Sequence, residues 1–149
     1  MSELLEKILS KDNMNATYKR VCANKGAGGV DEVTVDELGD YIKENWEGIR
    51  EQIRRREYRP QPVRRVEIPK PKGGVRELGI PTVMDRVIQQ GIVQVISPMC
   101  DPLFSEWSYG FRANRSCGMA VRQLLIYLNE GYEWIVDIDL ERFFDNVPQ

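Results

Sequence analysis

The first third of the chain has apolar residues at helical spacing. An apolar stripe that starts near the N-terminus predicts a helix over residues 3–24. Residues 26–29 include three glycines, which favour a helix stop because glycine readily adopts the positive φ found at helix ends. Thr34 and Glu37 have capping-box spacing and predict the start of a second helix. Apolar positions across 46–53 indicate a further helix that runs into three arginines.

A β-hairpin is predicted in the middle of the chain. Residues 64–69 alternate between polar and apolar, as in a half-buried strand, and residues 75–80 read as the returning strand. The residues between them, 71–74, include two consecutive glycines and favour a turn. The hairpin therefore carries three cationic residues near its tip: Lys70, Lys72 and Arg76.

A strongly apolar helix is predicted after the hairpin. Thr82 can cap a helix that runs to about residue 97, with Asp85 at the reciprocal position of a capping box. Its apolar residues cover much of the circumference, which predicts deep burial. Pro98 and Pro102 are expected to end it.

The remaining elements are a loop, a helix and a strand. Residues 104–114 are typical of an aromatic loop. Ser116 can cap a helix to residue 130, in which four residues are predicted to face inward: Val121, Leu124, Leu125 and Leu128. Residues 134–140 are rich in β-formers and predict a strand. These elements together indicate an α+β fold that is helix-rich, with one hairpin and one further strand.

Charge is concentrated in one segment. The net charge is only -2, but residues 54–76 contain nine Lys and Arg against two Glu, which leaves +7 there and -9 elsewhere. Such a stripe attracts a polyanion at short range, although a solvated surface also accounts for it.

Several classes of function are excluded or disfavoured. The chain has no histidine, so imidazole catalysis and zinc sites that need imidazole are excluded. No apolar run is long enough to span a bilayer, and the start lacks the pattern of a signal peptide. The three scattered cysteines are typical of reduced thiols.

Two aspartates in the last predicted strand are candidates for metal binding. Asp137 and Asp139 are two residues apart, so on a strand both project from one face. Carboxylate oxygens are ligands that Mg²⁺ prefers. Exposure of both side chains at a strand end is the alternative.

An aromatic loop motif is a second candidate. Tyr109 and Phe111 can stack on bases, but core packing is the favoured interpretation for both aromatics. For Arg112 and Arg115, a phosphate contact and a structural role both stay open.

Four motifs in order resemble the reverse transcriptases encoded by bacterial group II introns. They are residues 28–31 (with Glu32 where the family usually has glycine), 64–90, 108–112 and 136–145. The resemblance implies reverse-transcriptase fingers and a partial palm. It implies that residues 1–63 form the N-terminal extension and start of the fingers, 64–130 the fingers, and 131–149 the first palm strand and turn of a truncated palm.

The resemblance also implies roles for individual residues. Asp139 matches the first catalytic aspartate, which would bind Mg²⁺ in a two-metal site together with the backbone carbonyl of Leu140. Lys70 and Arg76 match residues that bind the nucleotide triphosphate, and Phe144 matches the aromatic beneath the incoming sugar. The residues expected to contact template or intron RNA are Arg54, Arg55, Arg56, Arg64, Arg65 and Arg112.

The implied function is RNA-directed DNA polymerase activity in a retroelement. The implied substrates are an RNA template, a DNA primer and dNTPs, and a maturase role in splicing the intron RNA is also implied, in a cytoplasmic ribonucleoprotein of a bacterium. The family's Tyr-x-Asp-Asp motif is absent, so we expect an incomplete fragment that is inactive alone. The alternative is a non-catalytic RNA-binding module that grips structured intron RNA. A third interpretation is self-association.

Overall fold

Helices dominate the structure, a computed structural model that describes residues 2–71, 73–140 and 143. The elements in chain order are α1 (Glu3–Ile8), α2 (Lys11–Asn24), α3 (Leu38–Arg55), β1 (Arg64–Pro69), β2 (Val75–Ile80), α4 (Val83–Cys100), a 3-10 turn (Asp101–Leu103) and α5 (Cys117–Asn129). This confirms the helix-rich α+β class with one hairpin. The chain divides into two compact units, Met1–Leu103 and Phe104–Gln149. The predicted domain boundaries stay predictions.

The first predicted helix is two helices, so the prediction of one was wrong. Ser10 interrupts it with an extended backbone, and its side chain accepts a hydrogen bond from the N–H of Asn13 at 3.4 Å. A serine in this position caps α2, because it satisfies an N–H that has no partner within the helix. Helix α2 ends where Lys25 takes a left-handed φ of 42°, one residue before the glycines.

Thr34 and Glu37 make the two hydrogen bonds of the predicted capping box, but the helix start predicted at Thr34 was wrong, because α3 begins at Leu38. The N–H of Thr34 donates to the Glu37 carboxylate at 2.9 Å, and the N–H of Glu37 donates to Thr34 Oγ1 at 3.4 Å. The two helices predicted beyond this point are one, because α3 continues from Leu38 to Arg55 without a break. Arg56 then ends it with a φ of 62°.

The core of the first unit lies between α2, α3 and α4. Its buried cluster is Val21, Leu38, Val83, Met84 and Val87. Helices α2 and α4 pack closely at Gly91, where a Cβ would lie 3.3 Å from Met14 Sδ. Burial covers one side of α4 only, since Ile92 and Val93 are exposed. The prediction of deep burial is therefore correct for that side alone.

Helix α4 starts where the cap at Thr82 predicts, but it ends at Cys100, beyond the predicted end near residue 97. Thr82 Oγ1 accepts from the N–H of Asp85 at 3.1 Å, which confirms the cap. Pro98 does not end the helix but lies within it, two residues before Cys100. A proline removes the one hydrogen bond that its own N–H would donate, and the last turn continues despite that loss.

The second unit contains α5 and an irregular segment. Ser116 caps α5 as predicted, accepting from the N–H of Met119 at 3.3 Å. The four residues predicted to face inward are all exposed, so that prediction was wrong: Val121, Leu124, Leu125 and Leu128. Among the described residues of this unit, no other helix or strand is available to cover them.

The strand predicted over residues 134–140 is not formed. These residues have no regular secondary structure. A strand needs a neighbour to accept and donate its backbone hydrogen bonds, and no described residue pairs with this segment. Its β-forming composition alone is therefore insufficient. Nothing in the described helices has the length and apolar content of a bilayer span.

Candidate nucleic-acid interface

The hairpin places two predicted ligand-binding arginines on one face. Strands β1 and β2 pair antiparallel, with Arg64 opposite Ile80 and Ile68 opposite Arg76. Residues two apart on a strand, and residues directly opposite each other, share a face of the sheet. Arg64 and Arg76 therefore project from the same face. That face carries no acidic residue of either strand.

The opposite face of the hairpin has mixed charge. It carries Arg65, Glu67 and Glu77, and Arg65 Nη1 lies 3.8 Å from Glu77 Oε2. The two adjacent arginines, predicted together as RNA contacts, are thus separated onto opposite faces, and only Arg65 has an acidic neighbour. We call the side with Arg64 and Arg76 the cationic face.

The tip of the hairpin is closed by backbone hydrogen bonds and is open on its outer side. The N–H of Lys70 donates to the Gly74 carbonyl at 2.9 Å, and the N–H of Gly73 donates to the Lys70 carbonyl at 3.1 Å. Gly73 and Gly74 have φ of 89° and 82°, which favours glycine, and a Cβ on either would meet no atom within 4 Å. A phosphate can therefore approach the backbone here. Lys72 lies outside the described residues.

Almost no packing holds the hairpin against the body of the first unit. Every residue of β1 and β2 is exposed except Ile80, which is half-buried. Even the apolar Val66, Ile68 and Leu78 are exposed. The orientation of the hairpin must therefore be set where its two ends join the body.

A buried carboxylate lies at that junction. Asp85, only 2% exposed, accepts from the Tyr58 hydroxyl at 2.6 Å, the Gln61 N–H at 3.1 Å and the Thr82 hydroxyl at 2.7 Å. Burial, and then the hydrogen bond to Asp85, raise the pKa of the Tyr58 phenol well above its usual range. The phenol therefore stays protonated and donates to the carboxylate at all ordinary pH values.

The three arginines at the end of α3 differ in their surroundings. Arg54 donates to both carboxylate oxygens of Glu6, at 3.1 and 2.8 Å, and its side chain is 20% exposed. The hydrogen bond from Arg54 lowers the pKa of Glu6. Arg55 pairs with Glu51 at 2.9 Å on the exposed surface. Arg54 thus ties α3 to α1, and RNA contacts by Arg54, Arg55 and Arg56 stay predictions.

The aromatic loop of the second unit is held together by its own arginines. Arg112 donates to the carbonyls of Ser105 and Ser108, at 2.7 and 3.1 Å, and lies over the Phe104 ring. Phe111 is fully exposed with a φ of 55°, so its predicted place in the core was wrong. These bonds give Arg112 a structural role, and its RNA contact stays a prediction.

The two candidate metal-binding aspartates are exposed. Asp137, Asp139 and Leu140 lie in the irregular segment of the second unit. Their carboxylate and carbonyl oxygens suit Mg²⁺ chemically. However, no group of three or more His, Cys, Asp or Glu side chains lies close together in the described part of the chain. Metal binding by these residues stays a prediction, and Phe144 lies outside the described residues.

Residues 68–149 match the family described as reverse transcriptase (RNA-dependent DNA polymerase). This chain belongs to that family. The group II intron-encoded protein LtrA and the putative COX1/OXI3 intron 2 protein are among its relatives, which agrees with the resemblance to group II intron proteins.

The relatives match nearly all of this chain but are much longer. The group II intron-encoded protein LtrA of Lactococcus lactis is 32% identical over 98% of the chain and 24% of its own length. The protein YkfC of Escherichia coli is 32% identical over 99% of the chain and 40% of its own length. The putative COX1/OXI3 intron 2 protein of Saccharomyces cerevisiae is 30% identical over 88% and 15%. The chain thus spans less than half of each.

Sequence reasoning missed two interactions of the first unit. The Asp85 carboxylate was predicted only as a helix cap, and its bonds to Tyr58 and Gln61 join residues 24 to 27 positions apart. The ion pair of Glu6 with Arg54 spans 48 positions. No local spacing rule finds such pairs. The one sequence signal for the contact with Asp85 was a tyrosine, Tyr58, in a proline-containing segment before the first predicted strand.

Proposed function

We propose that the protein is an RNA-directed DNA polymerase of a group II intron, to which this chain contributes a substrate-binding hairpin and part of the metal site. The cationic face of the hairpin carries this proposal. Arg64 and Arg76 project together from a face without acidic residues, and the glycine tip is open beside Lys70.

The chemistry of nucleotidyl transfer fits this surface. A leaving pyrophosphate needs cationic groups where negative charge develops, and Lys70 and Arg76 would supply them. A template strand is a polyanion, which Arg64 would contact. Asp139 and the Leu140 carbonyl would hold Mg²⁺, which when bound neutralises charge on the reacting phosphates.

The proposed partners follow from the proposed reaction. They are an RNA template, a DNA primer, dNTPs and the intron RNA whose splicing the protein would assist. The relative from Lactococcus lactis is a group II intron-encoded protein, which supports a bacterial ribonucleoprotein in the cytoplasm as the setting.

A second candidate is a non-catalytic grip on structured intron RNA. Arg55 and Arg56 are exposed at the end of α3, where they are not part of the hairpin. A structured RNA could bind there without any metal. Under this function, Arg56→Gln lowers the slope of log affinity against log salt by about one unit.

Binding of three nucleic acids to the 149-residue chain tests both functions. Fluorescence anisotropy would compare an RNA–DNA template–primer hybrid, a DNA duplex of equal length and a folded RNA across a salt series. The polymerase function predicts that the hybrid binds more tightly than the DNA duplex. Equal affinity for the two, or no binding of the hybrid at low salt, would contradict it. Preference for the folded RNA supports the second candidate.

A further inference from the structure

The buried carboxylate beneath the hairpin joins both of its ends to the body. Gln61 precedes β1 by three residues, and Thr82 follows β2 by two. Both donate to the same oxygen, Asp85 Oδ2, at 3.1 and 2.7 Å. One side chain at the start of α4 therefore holds the incoming and the outgoing strand at once.

A third bond fixes the carboxylate itself. The Tyr58 hydroxyl donates to the other oxygen, Asp85 Oδ1, at 2.6 Å. Tyr58 lies between the end of α3 and the hairpin, so this bond also tethers the segment that leads into β1. Because the phenol stays protonated, its hydrogen bond persists at ordinary pH.

Close packing supports the same junction on the outgoing side. A Cβ on Gly29 would lie 2.6 Å from Thr82 Cα, so the glycine segment presses on the backbone just after β2. On the hairpin itself, Val63 lies against Gly79, where a Cβ would meet Val63 Cγ2 at 2.8 Å. The strands have almost no other buried contact.

We propose that Asp85 is a positioning residue that sets the orientation of the hairpin, and with it the cationic face, relative to α4. The ladder between β1 and β2 is internal to the hairpin and survives without Asp85. Loss of the carboxylate therefore lets an intact hairpin move as a unit about its two ends. The role of Asp85 in orienting the hairpin does not depend on the proposed function. The consequence of that orientation for nucleotide binding does rest on the proposed function.

Substitutions at this site separate the charge from the hydrogen bonds. In Asp85→Ala both acceptor oxygens, and with them all three hydrogen bonds, are lost. In Asp85→Asn the amide oxygen can still accept from Gln61 and Thr82, and the amide nitrogen can donate to the Tyr58 oxygen. Asp85→Asn therefore should restore most of the orientation. Tyr58→Phe removes one bond and leaves the carboxylate and cap in place.

Residual dipolar couplings of the labelled 149-residue chain measure the orientation directly. In the natural sequence, couplings of β1 and β2 should fit the same alignment as those of α4. In Asp85→Ala the hairpin couplings should shrink and no longer fit that alignment, while cross-strand contacts persist. The Gln61 amide should exchange with solvent roughly fivefold faster or more, as loss of one hydrogen bond predicts. Tyr58→Phe should give the same changes in smaller measure.

A matched control and a second variant keep the outcome clear. Asp40→Ala removes an exposed carboxylate of α3 that pairs with Lys43, and it should leave the hairpin couplings unchanged. Hairpin couplings that still fit the α4 alignment in Asp85→Ala would overturn the proposal. If Asp85→Ala does not fold, unchanged couplings and unchanged Gln61 exchange in Tyr58→Phe would overturn it.

The proposed polymerase function can be disproved without disproving the positioning role of Asp85. Failure of the chain to bind a hybrid leaves the couplings and the exchange rates as valid measures of the orientation. If the hybrid binds, Asp85→Ala should lower its affinity and Asp85→Asn should restore it. An Asp85→Ala chain with a freely oriented hairpin and unchanged affinity would confine the role of Asp85 to orientation.

Discussion

Single residues decide how closely the segments of the first unit approach. The backbone of Gly29 presses on Thr82, whereas Gly48, in the middle of α3, has no atom within 4 Å of a Cβ position. Both residues are glycines, but the space for a Cβ is occupied by backbone atoms at Gly29 and is empty at Gly48. Their substitution by alanine should therefore change stability in opposite directions.

The first prediction compares these two glycines. Gly29→Ala should lower the free energy of unfolding by about 1–3 kcal/mol, because its Cβ would clash with backbone that cannot move freely. Gly48→Ala should raise it by about 0.5–1 kcal/mol, because alanine loses less backbone entropy in a helix. Urea denaturation measures both. Equal effects of the two substitutions would contradict the packing described at Gly29.

At the scale of elements, the sequence patterns predicted correctly those helix caps and strands that depend on residues close together in the chain. The hairpin has the predicted strands, and the caps at Thr82 and Ser116 form, because turn glycines and capping side chains act over a few residues. The strand predicted over 134–140 failed, because pairing needs a distant partner that no local pattern supplies.

The break between α1 and α2 was missed for a different reason. The apolar stripe of residues 3–24 continues across it, and that periodicity outweighed the weaker signal of Ser10 as a cap. For the candidate site, the resemblance to the family pointed to Arg64 and Arg76, and their roles stay predictions. Periodicity also separates Arg65 from them, since a residue one position away on a strand faces the other side.

The second prediction concerns the ion pair between α1 and α3. Arg54 lowers the pKa of Glu6 below its ordinary value of 4.5. A carboxyl whose pKa is lower in the folded state stabilises the fold above the unfolded value, and that stability is lost as pH falls through the folded value. Glu6→Gln should therefore be less stable than the natural sequence at pH 7, and the difference should vanish on acidification well below pH 4.5.

Thermal unfolding across this pH range measures the difference. Glu3→Gln on the same helix is a matched control, because Glu3 has no ion pair among the described contacts. A Glu6→Gln difference that is constant from pH 7 to acid would contradict the role of the pair.

The third prediction concerns the apolar side of α5. Val121, Leu124, Leu125 and Leu128 are exposed together, and contiguous apolar surface of this kind promotes association. Sedimentation of the 149-residue chain should therefore depend on concentration, and Leu125→Lys should weaken that dependence. Lys11→Gln, a change at an exposed position of α2, is the control. A flat concentration series for the natural sequence would contradict self-association.

At the scale of the whole molecule, the described residues form an incomplete set of the carboxylates that a two-metal site needs. It belongs to the reverse transcriptase family but spans less than half of its relatives' length. Its 149 residues contain no two adjacent aspartates, and Asp139 has no cluster of further ligands in the described residues. Two-metal phosphoryl transfer requires several carboxylates around the ions.

The fourth prediction follows from that incomplete site. The 149-residue chain should not extend a DNA primer on an RNA template with Mg²⁺ and dNTPs. A primer-extension gel measures this, with a complete reverse transcriptase as the positive control. Clear processive synthesis by this chain would contradict the prediction and would place the missing ligands among its own residues.

The account rests on the cationic face of the hairpin as the surface that contacts substrate. Affinity for an RNA–DNA hybrid together with a dNTP, measured in parallel for Arg76→Gln, Arg64→Gln and Arg65→Gln, is the test, because Arg64 would contact the template and Arg76 the triphosphate. All three residues are exposed, so each variant should keep the fold. The account predicts a loss of about tenfold for Arg64 and Arg76, as for a charged hydrogen bond. It predicts less than about twofold for Arg65, whose charge faces Glu77. Equal losses at all three positions would contradict it.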